Sequence, residues 1–513
     1  MKKFLNLIIL IVVGCNSLPE REEPTQHLRD ENLAPFYHGV ASGDPRDESV
    51  VIWTRFTPER KLPEVEIYWE VASDPTFQFL VESGRFATGP ARDYTVKVVV
   101  ENLQPGEEYY YRFKKGTKTS ETGKTRTTPL SSEILKFGVV SCSNYEWGYF
   151  NAYRALANEE DPNAIVHLGD YIYEYGTGAY GKTTPGTIPI PKKEIVSLEE
   201  YRTRYSQYRL DPDLRAAHAN HPFITIWDDH EITNNAYKEG AQNHQPDDEG
   251  NYEERKSAAV QTYYEWLPIR EDTKPYRSFS YGGLADLIML DERLAGRAKQ
   301  LDSIGDPMLY DSSQTMLGET QLEWFLDQLG ESDAQWKVIG NQVIFSYLDW
   351  GTETFSINLD SWDGYPVERN KIAEFIKTND LENIVFITGD THSSWAFEAT
   401  HKPVENYDQA TGEGAYAVEF GTTSINSANS NERFPDDTIR YHESQIVNSP
   451  INPHLKYANL RDHGYLILEL TEGKATATWK YVETLSKRTP SIKEEYAVST
   501  LSGDNRLMLA PGN

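Results

Sequence analysis

FITIWDDHEITNN, residues 223–235, decides how this chain is read. Five mostly apolar, β-prone residues run straight into Asp228, Asp229, His230 and Glu231, the pattern of a buried strand ending in a burst of charge. In α/β sheets, polar groups at the carboxyl ends of strands gather in the crevice where ligands bind. The design recurs along the chain. AIVHL at 164–168 delivers Gly169-Asp170-Tyr171-Ile172-Tyr173, NIVFIT at 383–388 delivers Gly389-Asp390-Thr391-His392, and an apolar run at 136–140 delivers Ser141-Cys142. Strand ends that together carry Cys, Asp, Tyr and His hold the donor set of a metal centre.

From residue 135 onward, strands alternate with helical patterns. Helices are expected near 149–156, 197–208, 254–266 and 319–329. Further strands are expected at 284–290, leading into Asp291-Glu292-Arg293, and at 336–340, leading into Asn341-Gln342. Later strands (415–420, 465–470, 475–482) pair as hairpins, and 489–513 has no clear period. Two mixed sheets flanked by helices fit this pattern. Long loops at 174–193 and 236–252 follow charged strand ends, as functional rims do. Residues 36–130 read as β only, with about seven short strands, an immunoglobulin- or fibronectin III-like sandwich. LQPGEEYYYR at 103–112 has the form of a tyrosine corner with Tyr109 as its corner residue. The expected organisation is a leader at 1–15, a tether at 16–35, the sandwich at 36–130 and a catalytic domain at 131–513.

Composition narrows the function. With 50 basic and 79 acidic residues the net charge is −29, which disfavours specific nucleic-acid binding and requires local cationic help for an anionic substrate. Lys2-Lys3, an apolar run at 4–13 and Val12-Val13-Gly14-Cys15 read as a lipoprotein signal whose Cys15 is lipidated. That places the protein outside the bacterial cytoplasm, in the periplasm or on the cell surface, touching membrane only through its lipid and acting as a monomer. If Cys15 carries lipid, Cys142 has no disulfide partner, and its strand-end position favours a ligand role over a buried inert thiol.

The spaced set resembles the calcineurin-like metallophosphoesterases, whose pattern runs from a metal-binding strand end through GD and GNHE to GHxH. The substitutions here are those of the PhoD-type alkaline phosphatases: Cys142 in the first motif, GDYIY at 169–173, DDHE at 228–231 for GNHE, and GDTH at 389–392 for GHxH. HGVASGDP at 38–45, VIWTRF at 51–56 and SWDGYP at 361–366 are similar to that family as well. Where the family commonly carries a twin-arginine signal, this chain has Lys2-Lys3.

The resemblance implies an iron–calcium centre that hydrolyses small phosphate esters. Asp170 would bridge. Cys142, Tyr173 and His392 would hold Fe3+, while Asp229, Asp390 and Asn341 offer the oxygen ligands that suit calcium, with other divalent ions as alternatives. His230 is left free to act on the leaving group as an acid or as electrostatic support. Asp228 is read as a ligand or as a residue behind one. Arg293 is read as an internal salt bridge or a phosphate contact, and Trp362 and Tyr365 as pocket walls or parts of a turn. His167, Tyr171, Tyr175 and His463 are expected to be structural. A diesterase or phospholipase D-like activity on the same site is the second enzyme reading, and a non-catalytic adhesion lipoprotein is the reading from another class.

Overall fold

The apolar runs fold as neighbouring parallel strands, Ile134–Val140, Ala164–His167 and Pro222–Thr225, with His167 level with Val140 on one side and Thr225 on the other. The computed structural model describes residues 22–181, 184, 187–271, 274–351 and 355–509. Almost every residue of these three strands is buried, which is why the sequence shows unbroken apolar runs and no alternation. They form the middle of a ten-stranded mixed sheet. On one side it continues through Gly464–Thr471, Lys474–Val482, Ile492–Leu501 and Met508–Leu509, so the carboxyl tail that lacked a period becomes its edge.

A second sheet of seven strands runs Arg277–Tyr281, Ala285–Met289, Trp336–Asn341, Ile384–Thr388, Ala415–Gly421, Ser394–Thr400 and Leu455–Asn459 in spatial order. Val139, Val166, Ile224 and Leu468 of the first sheet pack against Leu287, Val338, Val385 and Phe420 of the second in one continuous core. Helices cover both outer faces. Tyr153, Tyr205, Leu214 and Trp266 come from Asn151–Leu156, Leu198–Arg209, Pro212–Asn220 and Tyr252–Trp266. Phe325, Leu329, Ile372 and Ile376 come from Gly318–Glu331 and Pro366–Thr378. In Gly318–Glu331 the buried residues Gln321, Phe325 and Leu329 recur every fourth position, the apolar stripe of a surface helix. Pro212–Asn220 is started by Asp211, whose carboxylate accepts from the Asp213 and Leu214 N–H groups, and by Pro212 in the first turn. No helix among the described residues is long and apolar enough to cross a membrane.

Strands from both sides of the expected boundary at residue 130 share one sheet. Two β layers do pack around Val50, Ile52, Ile67, Val71, Val96 and Phe113. One layer is a separate sheet of Leu80–Thr88, Val65–Ala72, Glu108–Lys115, Lys118–Thr119 and Gly123–Arg126. The other layer, Val40–Gly43, Val50–Arg55 and Thr95–Val100, is the far side of the ten-stranded sheet. Ser42 and Gly43 pair in parallel with Pro222 and Phe223. A four-residue strand carries no period that names its sheet, so the sequence left this open. HGVASGDP is the seam: the His38 ring bonds Ser206 Oγ at 2.9 Å, and the Asp44 carboxylate takes Arg277 Nη2 at 2.7 Å and the Arg270 N–H at 2.9 Å. The Tyr109 hydroxyl accepts the Gln104 N–H at 2.8 Å, tying the turn beside it.

The tether expected at 16–35 is ordered chain from residue 22. Thr25 is buried and bonds Ser206 Oγ at 2.9 Å, and Glu23 pairs with Arg55 at 2.6 Å. Cys15 lies outside the described residues.

Removing residues 1–130 strips three strands from the large sheet and leaves Pro222–Thr225 as an open, apolar edge. The fragment 131–513 should therefore show no cooperative thermal transition by circular dichroism. A sharp melt like that of the whole chain would show that the seam is dispensable.

Candidate metal centre

The strand ends converge between the two sheets. Cys142 follows Ile134–Val140, Asp170 and Tyr173 follow Ala164–His167, Asp228 to Glu231 follow Pro222–Thr225, and Asp390 and His392 follow Ile384–Thr388. Cys142, Asp170, Asp390 and His392 all hold left-handed backbone, with φ of 62°, 56°, 61° and 60°. For non-glycine residues this costs about 1–3 kcal/mol each and persists only where the surroundings enforce it. Gly169 of the GD pair serves a close approach: a Cβ there would lie 2.4 Å from the Asp228 backbone nitrogen.

Two groups of donor atoms result. One atom each from Cys142, Asp170 and His392 lie within 4.8 Å of one another, and so do atoms from Asp170, Asp229 and His230. Asp170 belongs to both. The Tyr173 hydroxyl joins the first group, 2.9 Å from Asp170 Oδ2 and 3.0 Å from His392 Nε2. His392 is held by its other nitrogen, which donates to the Ala428 carbonyl at 2.6 Å. One side of Asp170 thus offers thiol, phenol and imidazole, and the other is rich in carboxylate.

Charge balance shows what the site lacks. Burial pushes the Asp170 and Asp390 carboxyls well above the usual range, with neighbouring carboxylates adding to it. Burial also raises Asp228, to about 6, against the pull of Arg293. Asp229 goes the other way, to about 2, because His230 and Arg293 outweigh its burial. The Cys142 thiol and the Tyr173 phenol are raised by burial and then by Asp170. Asp228 Oδ2 and Asp229 Oδ1 are buried with no hydrogen-bond partner. Unpartnered buried carboxylate oxygens beside a thiol, a phenol and an imidazole fit a bound cation, which would supply the missing positive charge.

His230 is braced from behind. Its Nδ1 lies 2.7 Å from Glu174 Oε2, a carboxylate with no exposed surface. Glu174 Oε1 accepts from Asn234 N at 2.8 Å, Thr233 Oγ1 at 3.1 Å and Asn243 Nδ2 at 3.1 Å. Burial alone would neutralise the ring, but Asp229, Glu174 and Asp170 outweigh it and hold its pKa well above the ordinary value. Tyr173 lies against the ring at 4.2 Å, and Tyr180, from the loop at 174–193, stacks over Tyr173 at 5.8 Å and Tyr175 at 5.4 Å. Tyr175, expected only to pack, is 5.3 Å from the His230 ring.

Glu231 does not face the donor groups. It accepts the N–H groups of Asp170 at 3.0 Å, Tyr171 at 2.5 Å and Asp228 at 2.8 Å. Arg293 is an internal salt bridge: Nε meets Asp228 Oδ1 at 2.5 Å and Nη1 meets both Asp360 oxygens at 3.0 Å. The Asn341 amide is engaged at both ends, its oxygen taking the Trp362 indole N–H at 3.0 Å and its NH2 donating to the Val343 carbonyl. The Asn341 oxygen keeps a second lone pair, and the Trp362 N–H is shared with Glu292 Oε1 at 2.7 Å. Trp362 and Tyr365 are fully buried in the core under the second sheet, and the Tyr365 hydroxyl donates to the Ala298 carbonyl at 2.9 Å, so neither is a pocket wall. His167 bonds Tyr153, Tyr171 bonds His218, and His463 lies between Ser424 and Glu432, all inside the protein. Sequence reading missed Glu174, Tyr180 and Asp360. Glu174 directly follows Tyr173 and was legible as one more charge at a strand end; Asp360 gave no signal. A cleft of about 890 Å³ elsewhere, lined by Trp227, Lys256, Tyr276 and Leu294 among others, contains none of the donor residues, so chemistry and not size marks this site.

Comparisons with known proteins agree with that chemistry. The family model described as "PhoD-like phosphatase" matches residues 137–479, and that of the "PhoD-like phosphatase, N-terminal domain" matches 22–129. The chain is 38% identical to alkaline phosphatase D of Bacillus subtilis (strain 168) over 446 residues, covering 83% of this chain and 74% of that one. The solved structure of PhoD superposes with a TM-score of 0.84 at 34% identity, covering 93% of this chain and 92% of the other.

The pKa directions set a pH dependence for metal-stripped protein. Asp228 is raised to about 6 and Glu231 to about 8, both first by burial. Each binds its proton more tightly folded than unfolded, so stability falls as pH rises from the unfolded values near 4 through about 6 and about 8. His230, also raised, contributes stability that is lost with rising pH, the same sign. Asp229 and Glu174, both lowered, act below about pH 4, and the lowered buried histidines, among them His392 at about 4 and His167 at about 3, oppose this trend up to their unfolded value near 6.5, so the raised groups set the sign between about pH 7 and 8. Chelator-treated protein should melt at lower temperature at pH 8 than at pH 7, and added calcium should restore more at pH 8. Equal melting temperatures at the two pH values would contradict the charge assignment.

Proposed function

Because the chain belongs to the PhoD-like phosphatase family, and so is a phosphoric ester hydrolase, we propose that it is a metal-dependent alkaline phosphatase that releases phosphate from small monoesters. The observation that carries this reading is the Asp170 carboxylate shared between a Cys142–His392 group and an Asp229–His230 group. Cys142, Tyr173 and His392, with Asp170, would hold Fe3+, a charge-rich ion suited to thiolate and phenolate donors. Asp229 and Asp390, with the free oxygen of Asp228, would hold calcium, a hard ion that takes oxygen. Such ions supply positive charge to the phosphate oxygens and activate water for attack.

The protein's own groups do the rest. Glu174 fixes Nδ1 of His230, which leaves the other ring nitrogen to hold a proton toward the leaving oxygen. Glu174, set behind the ring and apart from the residues assigned to the cations, favours that proton. Cys142 is fully buried and Asp170 and Tyr173 are each 2% exposed, with Tyr180 stacked above, a mouth that favours small monoesters over bulky diesters. Export and lipidation at Cys15 belong to the same proposal. Their support is the VVGC sequence at 12–15.

Two measurements test this. Purified protein should contain iron with calcium, absorb visible light through its thiolate and phenolate donors, and hydrolyse p-nitrophenyl phosphate faster than the bis-ester. His230→Ala should keep its metals and lose roughly 10²–10⁴ in rate on alkyl phosphates, whose leaving groups need a proton, and less on nitrophenyl phosphate. Fully active, colourless protein that holds only zinc would rule out the iron assignment. A metal equivalent lost in His230→Ala and restored by excess calcium or iron would make that residue a ligand. In cells, Cys15→Ser should move the protein from the membrane pellet to the soluble fraction. Its retention after detergent-free washing would count against a lipid anchor.

A further inference from the structure

We propose that Asp360 is a positioning residue for the carboxylate-rich half of the centre, acting through Arg293; the inference rests on the reading that a cation sits there. Arg293 has no exposed side-chain surface, and Asp360 has 12%. Both Nη1 contacts of Arg293 go to Asp360, at 3.0 Å to each oxygen. Asp360 is itself held from the other side. Arg297 Nη2 bonds its Oδ1 at 2.5 Å and its carbonyl oxygen at 2.8 Å, while Arg297 Nη1 reaches the Glu292 carbonyl at 3.3 Å. One carboxylate between two buried guanidinium groups leaves Arg293 little rotational freedom.

That immobility is passed on to the site. Arg293 Nε donates to Asp228 Oδ1, which leaves Oδ2 buried with no hydrogen-bond partner. Nη2 reaches Asp390 Oδ1 at 3.5 Å and Asp229 Oδ1 at 4.0 Å. Asp228 and Asp229 stand at the end of Pro222–Thr225 in the first sheet, and Asp390 at the end of Ile384–Thr388 in the second. A single planar fork therefore sets the spacing of carboxylates that belong to different sheets.

Two roles for this arginine predict opposite signs. If it only balances charge, weakening its hold leaves the carboxylates more negative and calcium binds more tightly. If it sets their positions, the oxygens disperse and calcium binds more weakly, by the 10–100-fold that loss of a supporting contact typically costs a metal site. The test is calcium titration by calorimetry of chelator-stripped wild type, Asp360→Glu and Arg293→Ala. Asp360→Glu keeps the charge but displaces the two-oxygen grip, so its calcium affinity should fall roughly 10–100-fold with an unchanged circular dichroism spectrum, where a charge-only role predicts no change. Arg293→Ala should fall further and recover in part with millimolar guanidinium chloride, which a merely structural defect would not do. If Arg293→Ala does not fold, Asp360→Glu decides alone. Unchanged or tighter calcium binding in Asp360→Glu, with wild type binding normally, overturns this inference only. Wild type that binds no calcium overturns the cation reading and this inference with it.

Discussion

A buried glutamate that accepts backbone N–H groups from two strand ends is the contact on which the rest of the site depends. Where a strand stops, its ladder partners stop too, and the next N–H groups need acceptors inside the protein. Glu231 supplies them to Asp170, Tyr171 and Asp228 together. It thereby fixes the end of Ala164–His167 against the end of Pro222–Thr225. The second sheet repeats the device. Glu292 accepts Gln342 N and Val343 N at 2.8 and 2.9 Å, and Glu419 accepts Phe345 N and Ser346 N at 2.8 and 2.7 Å. These anchors hold the chain where Asp170 and its counterparts adopt left-handed backbone, so side chains that would otherwise follow the strand turn into the gap between the sheets.

That gap gathers more negative charge than its own cations balance. Arg293 and His230 face Asp170, Asp228, Asp229 and Asp390, and two carboxylate oxygens among them accept no hydrogen bond. An unpaired buried polar atom is costly, and several together are rare in a folded protein without a ligand to justify them. Around Asp170 the donor types divide: sulfur, phenol and imidazole to one side, mostly carboxylate to the other. The division follows from topology, because thiol and phenol arrive on strands of the first sheet while Asp390 and His392 close the group from the second.

Much of this was legible in the sequence. Strands buried on both faces announce themselves as unbroken apolar runs, and a charge at the end of such a run has few places to point, so the strand ends could be picked out by position, while the choice of Cys142, Asp170, Tyr173, Asp229, Asp390 and His392 within them came from the resemblance to a known family. Residues joined only by tertiary contact could not. Asp360 meets Arg293 across 67 residues, in a segment with no strand or helix of its own. The bond from the Trp362 indole N–H to the Asn341 oxygen joins two residues that were read apart, one as pocket wall or turn and one as ligand. The two-layer reading of 36–130 found the strands but not their sheet, since hydrophobic pattern states that a strand is buried and not which neighbour buries it.

The order of strands in the large sheet bears on how the molecule can be made. Ile134–Val140 lies at its centre, yet its antiparallel neighbour is Gly464–Thr471, more than 300 residues later in the chain. Val40–Gly43, among the first strands to be synthesised, finds its parallel partner only at Pro222–Thr225. Pairings this distant are slow to form and leave apolar edges open until their partners exist. A ribosome releasing this chain from its amino end therefore exposes half-built sheet for most of translation. The hairpin of Gly464–Thr471 and Lys474–Val482 is what closes it, so a polypeptide lost shortly before residue 464 would carry every donor residue and lack the strand that packs beside Cys142's own.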